Sequence, residues 1–322
     1  MNLKVLRVIL IACCAMMLCS SRSTAFEAQD APKPQRAPEL TNQQERPAVP
    51  ATTPAAGAAS AQNEQRTIPA SAERHFHQAL LFEHDGNAND AIEEYKQAIR
   101  EYPDYFEAHY NLGRLYLDRK GYADATTELR SAVNLRPDDA NAHNNLGLAL
   151  KHNRDLDGAV QQYTDAVRLN PKLASAENNL ANVLYAKHDL AGAITHYRSA
   201  LALQPKSAET HMNLGSALDD AGKHDEAIAE YKEAIQLEPN NASAHYNLAI
   251  VYLRKKDTSA AIEELRDATK LTPDWPTPHI MLTNLLKDSD PKAAYEECVV
   301  ADGLTNDAKL HNLCGELQKR SQ

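Results

Sequence analysis

Two kinds of side chain that could bind ligands recur at a fixed interval along this chain. Histidine stands at 34-residue spacing, with one glutamate interrupting the series, at His75, His109, His143, Glu177, His211, His245 and His279. Two residues further on in five of these places stands an asparagine, at Asn111, Asn145, Asn179, Asn213 and Asn247. Imidazole is a common metal ligand, and a carboxamide can both donate to a backbone C=O and accept from a backbone N–H.

The histidines fit a structural role better than a metal site. Zinc needs its ligands within about 2.3 Å of one ion, whereas side chains on successive packed helices lie about 10 Å apart. We therefore interpret the histidines as contacts between paired helices. We expect neither a metal ion nor a cofactor.

The interval itself predicts the fold, because a 34-residue period is typical of helical repeats. Each complete unit has alanine at its twentieth and twenty-seventh places, a large residue at its twenty-fourth and proline at its thirty-second. The units span 72–105, 106–139, 140–173, 174–207, 208–241 and 242–275.

Within a unit, the pattern predicts two helices that pack closely. The fourth, seventh, eighth and eleventh residues share one helical face, and the small eighth residue, such as Gly113, lets the second helix approach. The proline then ends the second helix, because it lacks an N–H donor. This pattern resembles that of the tetratricopeptide repeat (TPR) family, which implies an all-α, right-handed superhelical solenoid of about seven helix-turn-helix repeats plus a capping helix.

The predicted TPR domain, 71–322, ends in a partial seventh unit over 276–304 and a cap over 305–319. Cys298 and Cys314 lie on consecutive helices near the end of the array. Their spacing is compatible with a disulfide that closes a loop of about 15 residues, and equally with two buried free thiols.

The row of asparagines resembles the ladder that lines the repeat domain of O-linked N-acetylglucosamine transferases. That resemblance implies that Asn111, Asn145, Asn179, Asn213 and Asn247 line a concave groove and hold the backbone of an extended peptide. Only the repeat portion is matched, so transferase activity is not expected. The alternative is that the amides are solvated residues copied with each repeat.

The sequence predicts a non-enzymatic scaffold for protein–protein interaction, with a role in assembly at the cell envelope. Two alternatives remain open: an accessory subunit of an envelope glycosyltransferase or secretion complex, and a self-associating structural protein. Similar repeat domains that bind acidic tails use lysines at the second and fifth places. This chain has Tyr110, Asn144 and Asn178 at the fifth place, so we do not expect it to bind acidic tails. The net charge of −10 and the lack of a basic cluster argue against nucleic-acid binding.

The beginning of the chain has the order of a secretory signal peptide, 1–25, with basic Lys4 and Arg7 before an apolar run. The Pro/Ala/Gln-rich stretch 26–70 predicts a disordered linker. We expect an exported protein, periplasmic or secreted. A lipobox-like stretch ending at Cys13 leaves a lipoprotein as the alternative, and a lipid would then be the only membrane contact.

Overall fold

The computed structural model of the protein describes residues 67–305 and 307–322. The predicted signal peptide and nearly all of the predicted linker lie outside these residues. The described chain divides between Pro239 and Asn240 into two compact units.

The first unit is built from ten helices in five consecutive pairs. They are α1 (Ala70–His84), α2 (Ala88–Glu101), α3 (Phe106–Asp118), α4 (Tyr122–Leu135), α5 (Ala140–His152), α6 (Leu156–Leu169), α7 (Ala174–Ala186), α8 (Leu190–Leu203), α9 (Ala208–Asp220) and α10 (His224–Leu237). The two helices of each pair pack against each other, and each pair packs against the next.

The second unit continues the same pattern and then departs from it. Its helices are α11 (Ala242–Arg254), α12 (Thr258–Leu271), α13 (Pro276–Leu286), α14 (Pro291–Leu304) and α15 (Ala308–Arg320). The last helix packs on α14, as expected of a cap. All regular structure in the described residues is helical, so the prediction of an all-α TPR-type repeat solenoid is confirmed. Of these helices, none is both long and apolar enough to cross a lipid bilayer.

Small residues allow the paired helices to approach closely. The alanines of the twentieth and twenty-seventh places are buried in every repeat, as Ala159 and Ala166 are in the third. Gly147 lies so close to the Tyr163 ring that a Cβ on it would stand 2.8 Å from two ring carbons. Because the large residue fills the space that the glycine leaves, these positions fix how each pair packs.

The turn inside each hairpin places one residue in the left-handed region. Its occupants, all at the fifteenth place, are Gly86, Lys120, Arg154, His188, Gly222 and Lys256, with φ between 61° and 79°. The φ value is unstrained for glycine but costs other residues about 1 kcal/mol or more. Four of the six repeats therefore carry local backbone strain at this turn.

Proline ends the second helix where the sequence predicts it. The residue before each proline is extended, as at Tyr102 (φ −139°, ψ 90°), which precedes Pro103. A residue before proline avoids the helical region because of a clash with the proline ring. The first helix of the next repeat can then begin three residues after the proline.

Candidate functional site

In the first unit, α3 contacts α5, α5 contacts α7 and α7 contacts α9, so these first helices of consecutive repeats touch directly. The surface made by the second, fifth, sixth, ninth and twelfth places of α1, α3, α5, α7 and α9 is called here the first-helix face. Four of the five predicted groove asparagines, Asn111, Asn145, Asn179 and Asn213, lie on it and are half-buried. The fifth, Asn247, is also half-buried and lies on α11 of the second unit.

The asparagines of the first unit link neighbouring repeats. Asn145 Nδ2 donates to the Tyr110 hydroxyl at 3.1 Å, and Asn179 Nδ2 donates to Asn144 Oδ1 at 3.1 Å. In both cases the acceptor stands at the fifth place of the preceding repeat. Asn213 Nδ2 donates to Asn182 Oδ1 at 3.2 Å, also one repeat back.

These bonds fix the orientation of the amides and leave part of each amide available. A carboxamide has two N–H donors and one carbonyl oxygen, and each of these three asparagines uses one N–H between repeats. The second N–H and the oxygen remain. The arrangement can therefore both donate to and accept from a polar chain that lies across the face.

The charged groups at the start of the face are paired with each other. The Arg114 guanidinium donates to the Glu83 carboxylate, and a second nitrogen of Arg114 lies 3.8 Å from Asp118 Oδ2. Further along the face, the Tyr185 hydroxyl donates to Asp220 Oδ2 at 2.6 Å. In the order of the repeats, Asn145 lies between these two pairs, whereas Asn179 and Asn213 stand in the same repeats as Tyr185 and Asp220.

Lys151 at the twelfth place of α5 differs from these groups. Its side chain is half-buried, and among the described residues it makes no hydrogen bond or salt bridge. Burial lowers the pKa of Lys151, and the Glu209 carboxylate at the second place of α9 opposes that shift. An ammonium group in this position gains from any anion brought to the face.

Tyrosines of the twenty-fourth place bond residues on the first helix of their own hairpin. The hydroxyl of Tyr197 donates to Asn182 Oδ1 at 2.6 Å, and that of Tyr231 lies 2.8 Å from Ser216 Oγ. Burial raises the pKa of Tyr197 and Tyr163 alike. Tyr163 is fully buried, and its hydroxyl has no hydrogen-bond partner among the residues that the structure describes.

The histidines of the fourth place join the two helices of a hairpin. His109 Nδ1 lies 2.6 Å from Glu128 Oε2, and His109 Nε2 lies 3.0 Å from the Pro103 carbonyl oxygen. Both partners are acceptors, so the ring satisfies both contacts when it is protonated. The same contact to a residue 19 positions later, or 18 in the last hairpin, recurs at His75, His143, His211, His245 and His279.

The fourth repeat contains the same pair in reverse. Glu177 stands at the place of the histidine, and His196 stands 19 residues later, with His196 Nδ1 2.6 Å from Glu177 Oε2. Since the exchange preserves the contact, the pair acts as one unit that holds the helices together. These observations support a structural role for the histidines.

In the second unit, His245, Glu264 and Asp267 offer ligand atoms that lie within 4.8 Å of one another. His245 Nδ1 lies 2.7 Å from Glu264 Oε2, which is the hairpin contact found in the other repeats. Asp267 in turn accepts from Lys270 Nζ at 2.7 Å. We assign all three residues to these contacts.

The cysteine pair lies in the second unit. The structure joins Cys298 on α14 to Cys314 on α15 with Cα atoms 5.5 Å apart, and both residues are buried. A bond here ties the capping helix to the last hairpin. We propose that the mature protein carries this disulfide.

Sequence reasoning missed the residues that hold the asparagines. Asn182 accepts from both Tyr197 and Asn213, and Asn144 accepts from Asn179. It also missed Tyr163 and Lys151. A comparison of the ninth places would have indicated that Tyr163 lacks a partner there, because Leu148 stands in α5 where Asn182 and Ser216 stand in later repeats.

Comparisons with known proteins agree with this architecture. Family models described as TPR repeat or tetratricopeptide repeat match residues 54–106, 84–147, 140–173, 181–220, 217–256 and 242–274. No curated protein sequence matches the chain.

Three solved structures illustrate the structural similarity. MamA is 25% identical, with 54% of this chain and 94% of MamA covered and a TM-score of 0.51. YrrB, described as a TPR protein with an unusual peptide-binding site, is 22% identical, with 56% and 93% covered and a TM-score of 0.51. The C-terminal part of a TPR repeat-containing protein from Cytophaga hutchinsonii is 14% identical, with 74% and 98% covered and a TM-score of 0.64.

Proposed function

Because the chain belongs to the tetratricopeptide repeat family, whose members mediate protein–protein interaction, we propose that it binds an extended segment of a partner protein across its first-helix face. The observation that carries the proposal is the row of half-buried asparagines on α3, α5, α7 and α9. YrrB shares only the fold with this chain, and it shows that this fold can carry a peptide-binding site.

The spacing of the asparagines suits a peptide backbone. Successive first helices stand about 10 Å apart, and an extended strand rises about 3.3 Å per residue. Asn145, Asn179 and Asn213 would therefore meet about every third residue. Because an amide can pair with any backbone N–H or C=O, such contacts tolerate many partner sequences.

The proposal extends to the absence of catalysis and to location. Most charged side chains of the face are paired with one another and are not free to act as acids or bases in a reaction. The donors that remain unpaired there are suited to binding a ligand. Export to the envelope rests on the pattern of residues 1–25, which lie outside the described residues. N-terminal sequencing of the mature protein should give Phe26 as its first residue, and a chain that still begins at Met1 would contradict export.

The test of the proposed function replaces three asparagines at once. A variant with Asn145→Ala, Asn179→Ala and Asn213→Ala should retain its helical circular-dichroism spectrum and lose at least tenfold in affinity for extended peptides. The matched control replaces polar residues on a second helix, Thr127→Ala and Arg130→Ala. Random nonapeptide libraries supply the ligand, and equal retention by the two variants would remove the face from the proposal.

A further inference from the structure

Repeat equivalence shows where the unpartnered hydroxyl of Tyr163 lies. The phenols at the same place in other repeats bond a residue on the first helix of their own hairpin. Tyr95 reaches the twelfth place, where it donates to Glu83 Oε2 at 2.9 Å, and Tyr197 reaches the ninth place, where it donates to Asn182.

In the third repeat both of those places have lost their acceptor. The ninth place is Leu148, which has no polar atom, and the twelfth is Lys151, whose ammonium group can only donate. The substitution of glutamate by lysine between the first and third repeats thus reverses the charge beside the phenol. In this hairpin a tyrosine hydroxyl and an ammonium group, both without an acceptor, stand at the two places that Tyr95 and Glu83 occupy in the first repeat.

Such a pair of donors calls for an anionic acceptor. A carboxylate offers two oxygens and can accept from a hydroxyl and an ammonium group together. We propose that Lys151 and Tyr163 form a carboxylate-binding subsite on the first-helix face, occupied by one carboxylate of the bound peptide. The subsite rests on the proposed peptide-binding function and gives it a preferred ligand chemistry.

Neighbouring groups limit this place to one anion. Asn145 on α5 and Asn179 on α7 present neutral amides. Glu209 is exposed, and its negative charge, which acts on Lys151, opposes the binding of more than one carboxylate. With a single lysine, the subsite differs from the lysine-rich arrangement at the second and fifth places that holds acidic tails, so we expect one carboxylate rather than a run of them.

The carboxylate could come from an aspartate or glutamate side chain or from the end of a chain, and the test separates these sources. Three nonapeptide libraries of neutral residues are passed over immobilised full-length protein. The first has a central Asn and an amidated end, the second a central Asp and an amidated end, and the third a central Asn and a free carboxylate. We expect the wild type to retain the second or the third at least tenfold better than the first.

Two variants and one control locate the effect. Lys151→Met should abolish the preference for the acidic library. Tyr163→Phe should reduce the preference severalfold without loss of thermal stability. Lys172→Met, which removes the same charge from an exposed turn, should bind as the wild type does.

The outcomes separate this inference from the function on which it rests. Equal retention of all three libraries by the wild type, or a preference that survives Lys151→Met, would overturn the subsite and leave peptide binding intact. A wild type that retains none of the libraries would overturn both. A preference lost equally in Lys172→Met would show that net charge, and not the subsite, produces it.

Discussion

Tyr163 and Tyr197 occupy the same place in consecutive repeats, yet substitution by phenylalanine should change stability in opposite directions. Both are buried, with exposed fractions of 0% and 1%, and both rings stay in the core when the hydroxyl is removed. Tyr197 donates to Asn182 Oδ1 at 2.6 Å, whereas the Tyr163 hydroxyl has no partner among the described residues. The pair therefore isolates the hydrogen bond from the burial of the ring.

The magnitudes follow from the two environments. A buried polar group without a partner costs roughly 1–3 kcal/mol, so Tyr163→Phe should raise the free energy of unfolding by about 1 kcal/mol. A hydrogen bond contributes about 0.5–1.5 kcal/mol net, so Tyr197→Phe should lower it by about 1 kcal/mol. Because the apolar gain from losing one oxygen is common to both, the difference of about 2 kcal/mol is the more secure quantity.

Urea unfolding followed by circular dichroism measures both variants against the wild type. The slope of the transition should not change, and the two midpoints should move apart in opposite directions. If Tyr163→Phe is as destabilising as Tyr197→Phe, the Tyr163 hydroxyl is satisfied in the free protein. The proposed subsite at Lys151 would then lack its second donor.

The remaining predictions concern the hairpins and the cap. Glu128→Gln should cost little, because an amide oxygen can still accept from His109, while Glu128→Ala should lower the free energy of unfolding by about 1–2 kcal/mol in the same urea assay. Arg154→Gly should raise it by about 1 kcal/mol, since glycine adopts the left-handed turn without strain, and a loss would contradict the strain. Labelling of the unfolded, non-reduced mature protein should find no free thiol, and reduction should lower the stability of the second unit by about 3 kcal/mol; two reactive thiols would rule out the bond between Cys298 and Cys314.

The helical repeat could be predicted from the sequence because its spacing is geometric. Helices α3, α5, α7, α9 and α11 begin at the first residues of the predicted units, Phe106, Ala140, Ala174, Ala208 and Ala242. The cap predicted over 305–319 overlaps α15, which spans Ala308–Arg320. Close packing of small residues at fixed places leaves few other ways to arrange the chain.

The side-chain contacts of the face could not be predicted in the same way. The asparagine pattern placed the amides on one helical side, but the partner of each depends on the residues at the fifth and ninth places of neighbouring repeats, which vary. The left-handed conformation of Arg154 could not be predicted either. Only Gly86 and Gly222 have, at this place, the residue type that normally indicates a positive φ. The histidine contact could have been predicted from the sequence. A histidine and an acidic residue 19 positions apart recur in the repeats, and Glu177 and His196 keep this spacing with the two residue types exchanged.

Binding across the first-helix face is most directly tested by photocrosslinking in intact cells. A photoreactive residue at Asn145 should capture a segment of another protein, and one at Arg130, an exposed position on α4, should not. The captured segment should be lost in a variant that also carries Asn179→Ala and Asn213→Ala. Capture at Arg130 alone, or capture only of further copies of this chain, would contradict the account.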